Sequence, residues 1–417
     1  MSIIGANAKL SKQINRELVL KIIYNRRPIS RANIANITGL TPASISKIID
    51  EFIDIGLVYE IRKDVSNYGR KPVLIDINSE SYHIVGIYIA RKSISGIITN
   101  LNADIKKKII YEKSKLSDKK LLDNVNDLIS KLLDSSKTDK NKILGIGMAV
   151  PGPINANKGE ILNSEISEEP PYNWKKVPLT ESVSKKFGLP VFADNCSNTS
   201  ALGESWFGNG MNYKNFVLFS FGEGVGSGLI LKNRLYRGED DIIGEIGHTT
   251  IYADGPRCEC GNYGCMELYV KNHTILKKYN ELAKKYPNSK LAKSNIKKIE
   301  DIYNFSEESD PIYIEIIDHL TKYLGIGTVN LINTLNPEAV IIGTNEIGDI
   351  KMDAVINKIR KIVKNRAYSV VRDKVRIIPS KLGNNAQLVG SICLVLRDFF
   401  KLESYRSLHS LKERQAI

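Results

Sequence analysis

The stretch from Gly244 to Glu267 reads GEIGHTTIYADGPRCECGNYGCME and contains three of the chain's five cysteines. These three, Cys258, Cys260 and Cys265, fall within eight residues. A disulfide cluster, a redox pair and a metal site can each use such a group. Five cysteines, odd in number and mostly clustered, indicate a reducing compartment and argue against a disulfide framework. The cysteines alone leave the redox pair and the metal site open.

Length and charge limit what the chain can be. At 417 residues it is too long for one compact core, so two or three domains are expected. No apolar run is long enough to cross a bilayer, and the first residues lack a signal-peptide core, so we expect a cytoplasmic protein without a membrane partner. The formal net charge is +14, and the first 78 residues supply +5 of it, with 12 Lys/Arg against 7 Asp/Glu. A nucleic-acid partner explains this charge, and so do lysines that only cover solvated faces.

The N-terminal segment contains three helical stretches separated by turn signals. The first helix is expected to bury an apolar stripe formed by Leu18, Ile22 and Ile23. Ser30 is placed to cap a short second helix over residues 31–37, and Gly39 lies where a tight turn needs a positive φ. Thr41 is placed to cap the third helix, with Pro42 at the first helical position, where proline is tolerated.

The third helix has two different faces. Its apolar face consists of Ile45, Ile48, Ile49 and Phe52. Two short strands, residues 56–62 and 71–77, then flank a polar loop. This order predicts a winged helix-turn-helix that binds DNA in the major groove, with further contacts from the wing. The predicted DNA contacts are Thr41, Ala43, Ser44, Ser46, Lys47, Arg70 and Lys71. A small helical protein-interaction module is the alternative.

From residue 82 onward, strands alternate with helices. Residues 82–101 predict a hairpin of apolar strands, residues 118–136 a helix, and residues 142–154 a buried strand that ends in a Gly/Pro turn. This alternation predicts an α/β domain built in two lobes.

These patterns resemble the ROK family of bacterial sugar kinases and sugar-responsive repressors over nearly the whole chain. The match includes the helix-turn-helix, the Gly-Arg-Lys-Pro wing, the PGPI turn and the string FGEGVGSGLILKNRLYRG. Its most specific element is His248, nine residues, and then Cys-x-Cys-Gly-x-x-Gly-Cys-x-Glu. The resemblance implies an α/β fold: a winged helix-turn-helix over 1–79, a two-lobed actin-like, RNase H-like sugar-kinase body over 80–400, and a tail over 401–417.

The resemblance also implies a zinc site. The family's Cys3His composition falls here on His248, Cys258, Cys260 and Cys265, and two glycines let the loop fold back so that these donors converge. Since the protein supplies all four ligands, the ion is expected to be structural. A redox role is disfavoured because neither C-x-C nor C-x4-C is the usual C-x-x-C dithiol.

Two positions argue against kinase activity. The family's first phosphate loop resembles Asp-x-Gly-Gly-Thr, but residues 88–92 read Tyr-Ile-Ala-Arg-Lys, and a phosphate cradle needs bare backbone amides. The catalytic aspartate of a Glu-Asn-Asp-Ala-Asn stretch falls on Cys196, and a thiol with a pKa near ~8.5 is a poor base for this step. Only the second glycine loop, residues 222–228, survives. We therefore expect a sugar sensor that is not an enzyme.

The family's sugar contacts fall on Asn195, Glu245, His248 and Glu267. Carboxylates accept hydrogen bonds from paired hydroxyls, and amide and imidazole groups orient the ring. His248 can hold zinc through one ring nitrogen and face the sugar with the other. The alternatives are a turn role for Asn195 and a helix-capping role for Glu245.

The sequence therefore predicts a repressor that binds double-stranded operator DNA and a small sugar, with xylose favoured by overall resemblance. The sugar pocket is expected between the lobes, and the chain is expected to form a homodimer or higher oligomer because one recognition helix contacts only a half-site. Two rival functions remain: an ATP-dependent sugar kinase with a DNA-binding head, and a module that binds a protein instead of DNA.

Overall fold

The structure is a computed structural model that describes residues 8–61, 72–91, 93–112, 118–136, 138–162, 176–294, 296–345, 347 and 350–400. Several predicted features lie outside the described residues. They are Arg70 and Lys71 of the predicted wing, Lys92 at the end of the stretch 88–92 that was compared with a phosphate loop, and the tail over 401–417.

The N-terminal part, called the head below, consists of α1 (Ala8–Arg26), β1 (Ile29–Ser30), α2 (Arg31–Thr38), α3 (Pro42–Asp54), β2 (Val58–Ile61) and β3 (Leu74–Ile77). The predicted caps are confirmed. The Ser30 side chain accepts a hydrogen bond from the Asn33 N–H at 3.2 Å, and Gly39 ends α2 with φ 70°. Thr41 accepts from the Ser44 N–H at 3.3 Å, with Pro42 in the first turn. The antiparallel sheet has the order β1-β3-β2, so helix-turn-helix and hairpin form one unit.

The predicted apolar face of α3 is confirmed, but the stripe predicted for α1 is confirmed only at Ile23. Leu18 is 39% exposed and Ile22 is only half-buried. The residues buried beside Ile23 are Val19, Leu20 and Tyr24. The buried face is turned because α1 packs on the body of the protein as well as on the head, and the sequence of the helix alone does not reveal that second partner.

Lobe 1 consists of β4 (His83–Ile89), β5 (Ser93–Asn100), β6 (Ile105–Glu112), α4 (Asp118–Ser136), β7 (Ile143–Val150), β8 (Ile154–Asn155), β9 (Glu160–Ile161), α5 (Leu179–Phe187), β10 (Val191–Asn195) and α6 (Cys196–Phe207). Its main sheet has the order β10-β7-β4-β5-β6. The predicted hairpin β4–β5, the buried strand β7 and the helix α4 are confirmed.

Lobe 2 consists of β11 (Phe216–Gly222), β12 (Gly226–Leu231), β13 (Arg234–Tyr236), α7 (Glu267–Val270), α8 (Asn272–Lys285), α9 (Lys290–Lys293), α10 (Ile299–Tyr303), α11 (Pro311–Leu335), β14 (Ala339–Asn345), α12 (Asp353–Arg366), β15 (Arg376–Pro379) and α13 (Ala386–Phe399). Its sheet order is β13-β12-β11-β14-β15. In each lobe three consecutive antiparallel strands are followed by two parallel ones. This repeated order confirms the predicted two-lobed, RNase H-like α/β fold.

Two helices, α6 and α13, lie between the sheets of the two lobes. Leu388 and Ile392 of α13 pack in one cluster with residues of β4 and β7, whereas Cys393 of α13 and Ala201 of α6 pack against β11 and β14. The same first cluster continues into the head. In the described parts of the chain, no helix combines the length and apolar content that a membrane crossing requires.

Candidate functional site

A cavity of about 470 Å³ lies between the two lobes, where strands of both sheets end. The turn after β4 and the start of α6 line it from lobe 1, and the glycine loop (residues 222–228) lines it from lobe 2. Its polar lining residues are Tyr88, Arg91, Asn195, Cys196, Ser197, Glu223, Ser227, Glu245, His248, Glu259, Glu267, Lys271 and Asn345. A concave site with several convergent polar groups suits a small polar ligand.

The structure places all four predicted sugar contacts, Asn195, Glu245, His248 and Glu267, on the wall of this cavity. Asn195 ends β10 and caps α6: its Oδ1 accepts from the Ser197 N–H at 2.7 Å. Its Nδ2 donates to the Gly152 carbonyl at 3.1 Å. Asn195 thus caps a helix, which is a structural role other than the turn role considered as its alternative, and one amide hydrogen and one lone pair remain for a ligand.

Two carboxylates face the cavity from lobe 2. Glu245 precedes the short 3-10 helix Ile246–His248, and its side chain makes no capping hydrogen bond, so the capping alternative is wrong. Burial raises the pKa of Glu245; His248 opposes this shift and the Glu267 carboxylate adds to it. Glu267 begins α7, and its Oε2 accepts from the Val225 N–H at 2.8 Å. Glu267 therefore holds the glycine loop as well as facing the cavity.

The four predicted metal ligands also lie together. The donor atoms of His248, Cys258, Cys260 and Cys265 are all within 4.8 Å of one another. His248 Nδ1 is 3.6 Å from Cys258 Sγ, and Cys260 Sγ is 3.6 Å from Cys265 Sγ. Tetrahedral zinc with its usual bond lengths separates such donor atoms by about 3.6–3.8 Å. The cluster therefore fits a metal ion held by four protein ligands.

Burial makes the thiolate form of two of these cysteines costly. Burial raises the pKa of Cys265 to about 12, and the neighbouring thiols of Cys260 and Cys258 add to this shift. Burial also raises the pKa of Cys258. A bound cation offsets this cost by stabilising the thiolates. Asn262 closes the loop, because its Nδ2 donates to the His248 carbonyl at 2.9 Å.

Two side chains from lobe 1 face the cavity next to the turn after β4. Tyr88, near the end of β4, and Arg91, in the turn that follows, both line the cavity. Arg91 Nη1 lies 4.0 Å from Glu223 Oε2 of the glycine loop, so an ion pair joins the two lobes here. Cys196 is the first residue of α6 and also lines the cavity.

Sequence reasoning missed three polar residues of the cavity wall. Glu259 and Lys271 form an ion pair at 3.8 Å, and Asn345 at the end of β14 donates to the Gly224 carbonyl at 3.0 Å. Glu259 lies between the predicted metal ligands Cys258 and Cys260, so the cysteine spacing already indicated that Glu259 is near the cluster. Lys271 follows Glu267 by four residues, about one helical turn, which is a weaker signal. No sequence pattern indicates Asn345.

The predicted DNA-contacting face of α3 is accessible. Thr41, Ala43, Ser44 and Lys47 are exposed and Ser46 is half-buried. An arginine that the sequence analysis did not single out stabilises this helix: Arg31 Nη2 pairs with Asp50 Oδ1 and with Glu60 Oε1, each at 2.9 Å. Arg31 thereby connects α2, α3 and β2, which fixes the orientation of α3 within the head.

Comparison with known proteins agrees with this architecture. The family model for the ROK family matches residues 84–398. The xylose repressor of Bacillus subtilis (strain 168) is 33% identical over 397 residues, covering 95% of this chain and 98% of the relative. A crystal structure of a ROK family transcriptional regulator, a homologue of the Escherichia coli MLC protein, aligns with TM-score 0.80 and 27% identity, over 93% of this chain and 96% of that one.

A ROK family glucokinase from Streptomyces griseus, in complex with glucose and AMPPNP, aligns with TM-score 0.66 over 76% of this chain and 99% of its own. At 22% identity it supports the fold of the body alone. The fold and cavity define a two-lobed, sugar-kinase-like body joined to a helix-turn-helix head. The chain belongs to the ROK family.

Proposed function

We propose that this chain is a sugar-responsive transcriptional repressor. The head binds operator DNA, and a small sugar in the cavity between the lobes lowers the affinity of that binding. The observation that carries the proposal is the combination, in one chain, of an exposed recognition helix and a cavity lined by carboxylate, amide and imidazole groups. A relative named as a xylose repressor, similar over nearly the whole chain, supports it.

On the DNA side, the start of α3 enters the major groove and the wing contacts phosphates or the minor groove. The contacting residues are Thr41, Ala43, Ser44, Ser46, Lys47, Arg70 and Lys71. One recognition helix binds one half-site, so the working unit is a homodimer or a higher homo-oligomer. Closure of the lobes around a sugar would change the spacing of the two heads and thus weaken binding.

On the sugar side, Asn195, Glu245, His248 and Glu267 contact the hydroxyls. The charges of the cavity favour an uncharged sugar. Its lining includes four carboxylates, those of Glu223, Glu245, Glu259 and Glu267, against the two cations of Arg91 and Lys271. Since each cation already pairs with a carboxylate, a phosphorylated sugar would meet net repulsion. Xylose, named for the relatives, fits this requirement.

The metal is a structural Zn²⁺ bound by His248, Cys258, Cys260 and Cys265. The ion fixes the loop that ends at Glu267 and orients His248, whose ring lies between the cluster and the cavity. The domains extend over 1–79 for the head, 80–400 for the body and 401–417 for the tail, and the protein acts in the cytoplasm.

The body is not an enzyme in this proposal. Side chains replace the first phosphate loop, and Cys196 replaces the base that would accept the hydroxyl proton. The rival function is an ATP-dependent sugar kinase with a DNA-binding head. A coupled assay with ATP and a panel of sugars separates the two, because sugar-dependent ADP release would establish the kinase.

The central experiment uses a DNA duplex selected from a random pool by the sugar-free protein. Calorimetry with xylose, glucose and N-acetylglucosamine identifies the bound sugar, and DNA affinity is then measured with and without it. We expect xylose to bind and to weaken DNA binding. Binding that ignores salt would contradict DNA recognition, because phosphate contacts make log K fall steeply with log salt. DNA affinity unchanged by any bound sugar would contradict the sensor.

A further inference from the structure

One helix spans the distance between the proposed sugar cavity and the head. The first residues of α6, Cys196 and Ser197, line the cavity, and its N-cap is Asn195. Any ligand that binds the Asn195 side chain therefore acts on the first turn of α6. With 12 residues, the helix is about 18 Å long.

The middle of α6 is packed too tightly to absorb a movement at its start. Every residue from Asn198 to Glu204 is buried. Helix α13 approaches so closely that a Cβ at Gly390 would overlap the Thr199 carbonyl. Glu204 is fully buried and accepts from the Ser380 hydroxyl at 2.6 Å and the Leu382 N–H at 3.0 Å. Because packed interiors are nearly incompressible, α6 and α13 move together as one body.

The other end of α6 contacts the head. The Trp206 ring packs edge-on against Tyr24 of α1, with ring centroids 5.6 Å apart, and lies 5.7 Å from Phe400. Tyr24 also packs on Phe400 at 5.0 Å, and its hydroxyl donates to the Leu101 carbonyl at 2.7 Å. Tyr24 is thus held between the ends of α6 and α13 and lobe 1, within one continuous apolar cluster.

We propose that α6 couples the sugar cavity to the DNA-binding head, through Asn195 at one end and the Trp206–Tyr24 contact at the other. This inference rests on the proposed function and states how its two sites communicate. Sugar binding shifts the first turn of α6, the α6–α13 layer follows, and Trp206 and Phe400 reposition α1. Trp206 touches neither ligand, so it acts as a positioning residue.

The test compares Trp206→Leu with Phe187→Leu, a matched control in which the half-buried aromatic residue ends α5 and packs on a cluster that contains no described residue of the head. DNA affinity is measured for each variant with and without whichever of xylose, glucose and N-acetylglucosamine binds the wild-type chain. Trp206→Leu should keep its sugar affinity within about twofold, while the ratio of DNA affinities without and with sugar falls at least about fivefold. Phe187→Leu should keep the wild-type ratio.

Different results would overturn different statements. A wild-type chain whose DNA affinity ignores the bound sugar would overturn the proposed function and the coupling with it. A sugar-responsive wild type together with an unchanged ratio in Trp206→Leu would overturn the coupling alone.

A second measurement does not depend on the fold of Trp206→Leu. The chain has two tryptophans, so Trp174→Phe leaves Trp206 as the only indole. The same sugar should change the fluorescence of Trp206, although this residue lies at the far end of α6. Unchanged emission at saturating sugar would overturn the coupling.

Discussion

The turn after β4 and the turn after β11 occupy equivalent positions in two sheets of the same strand order. The second turn is rich in glycine, whereas the first carries Ala90 and Arg91. The Arg91 guanidinium lies opposite Glu223 of the second turn. The two turns thus contact each other across the cavity between the lobes.

Packing against α6 constrains the glycines of the second turn. A Cβ at Gly228 would overlap the Ser197 carbonyl and come within 2.6 Å of Ala201 Cβ. A Cβ at Gly226 would overlap the Ser197 hydroxyl. The Ser197 hydroxyl can rotate away but its carbonyl cannot, so close packing of β12 on α6 explains Gly228 without a nucleotide. A glycine in the second turn can be required by packing alone, so it is weak evidence for phosphate binding. The absence of glycines in the first turn is stronger evidence against phosphate binding.

The largest expected effect concerns the predicted metal site. It lies next to Glu267, which holds the second turn through the Val225 N–H. Cys260→Ser removes one of four ligands, so zinc should fall from about one per chain to a small fraction of that. Sugar affinity should then drop at least about 100-fold, because the cysteine loop would no longer fix Glu267 and His248. Metal analysis and calorimetry measure both quantities. Cys196→Ser, outside the ligand set, should keep its zinc, whereas full zinc occupancy in Cys260→Ser would refute the site.

The second effect separates the two roles of Glu267. Glu267→Ala loses both the hydrogen bond from the Val225 N–H and the carboxylate that faces the cavity. We expect sugar affinity to fall by about 2–4 kcal/mol while sugar-free DNA binding stays nearly intact, giving a repressor that sugar no longer releases. In Glu267→Gln the amide oxygen still accepts from Val225, so a smaller loss should remain. DNA-binding assays with and without sugar decide: normal release in Glu267→Ala would count against the pocket assignment.

Much of this arrangement could be predicted from local signals. The caps of α2 and α3, the hairpin β4–β5 and the clustering of the four metal ligands depend on residues close together in the chain or on one distinctive spacing. Those signals act over at most about 20 residues, so the sequence displays them directly.

The features that the sequence did not predict depend on contacts between residues far apart in the chain. The exposure of Leu18 and the burial of Tyr24 depend on contacts between α1 and residues near 101, 206 and 400. Likewise, Asn345 reaches the cavity through the pairing of β14 with β11. The side-chain pattern of one element does not specify which distant element will pack on it, so such features become visible only in the folded chain.

The third effect tests the comparison of the two turns through stability. Gly228→Ala places a methyl group against the backbone of α6, so unfolding in urea should require about 3 kcal/mol less, the upper part of the range for overpacking. Arg91→Gly in the other turn removes a partly exposed ion pair and creates no steric overlap, so its cost should be smaller, about 1 kcal/mol. Equal losses in the two variants would show that the glycines of the second turn are not held by packing.

The smallest expected effect concerns the predicted DNA contacts of the head, none of which lies in either turn. Lys47 is exposed on α3, so Lys47→Ala should weaken DNA binding by roughly 1–3 kcal/mol if it contacts a base, or lower the salt slope by about one unit if it contacts phosphate. Arg70→Ala on the predicted wing should behave similarly. Lys284→Ala, an exposed lysine of α8 in lobe 2, removes the same charge far from the predicted interface and should change neither quantity. Sugar affinity should be unchanged in Lys47→Ala and Lys284→Ala, because neither of these two residues lines the cavity. If Lys47→Ala and Arg70→Ala both left DNA affinity and salt slope unaltered, the proposal that α3 and the wing bind DNA would be wrong. The sugar cavity would then have to control some function other than DNA binding.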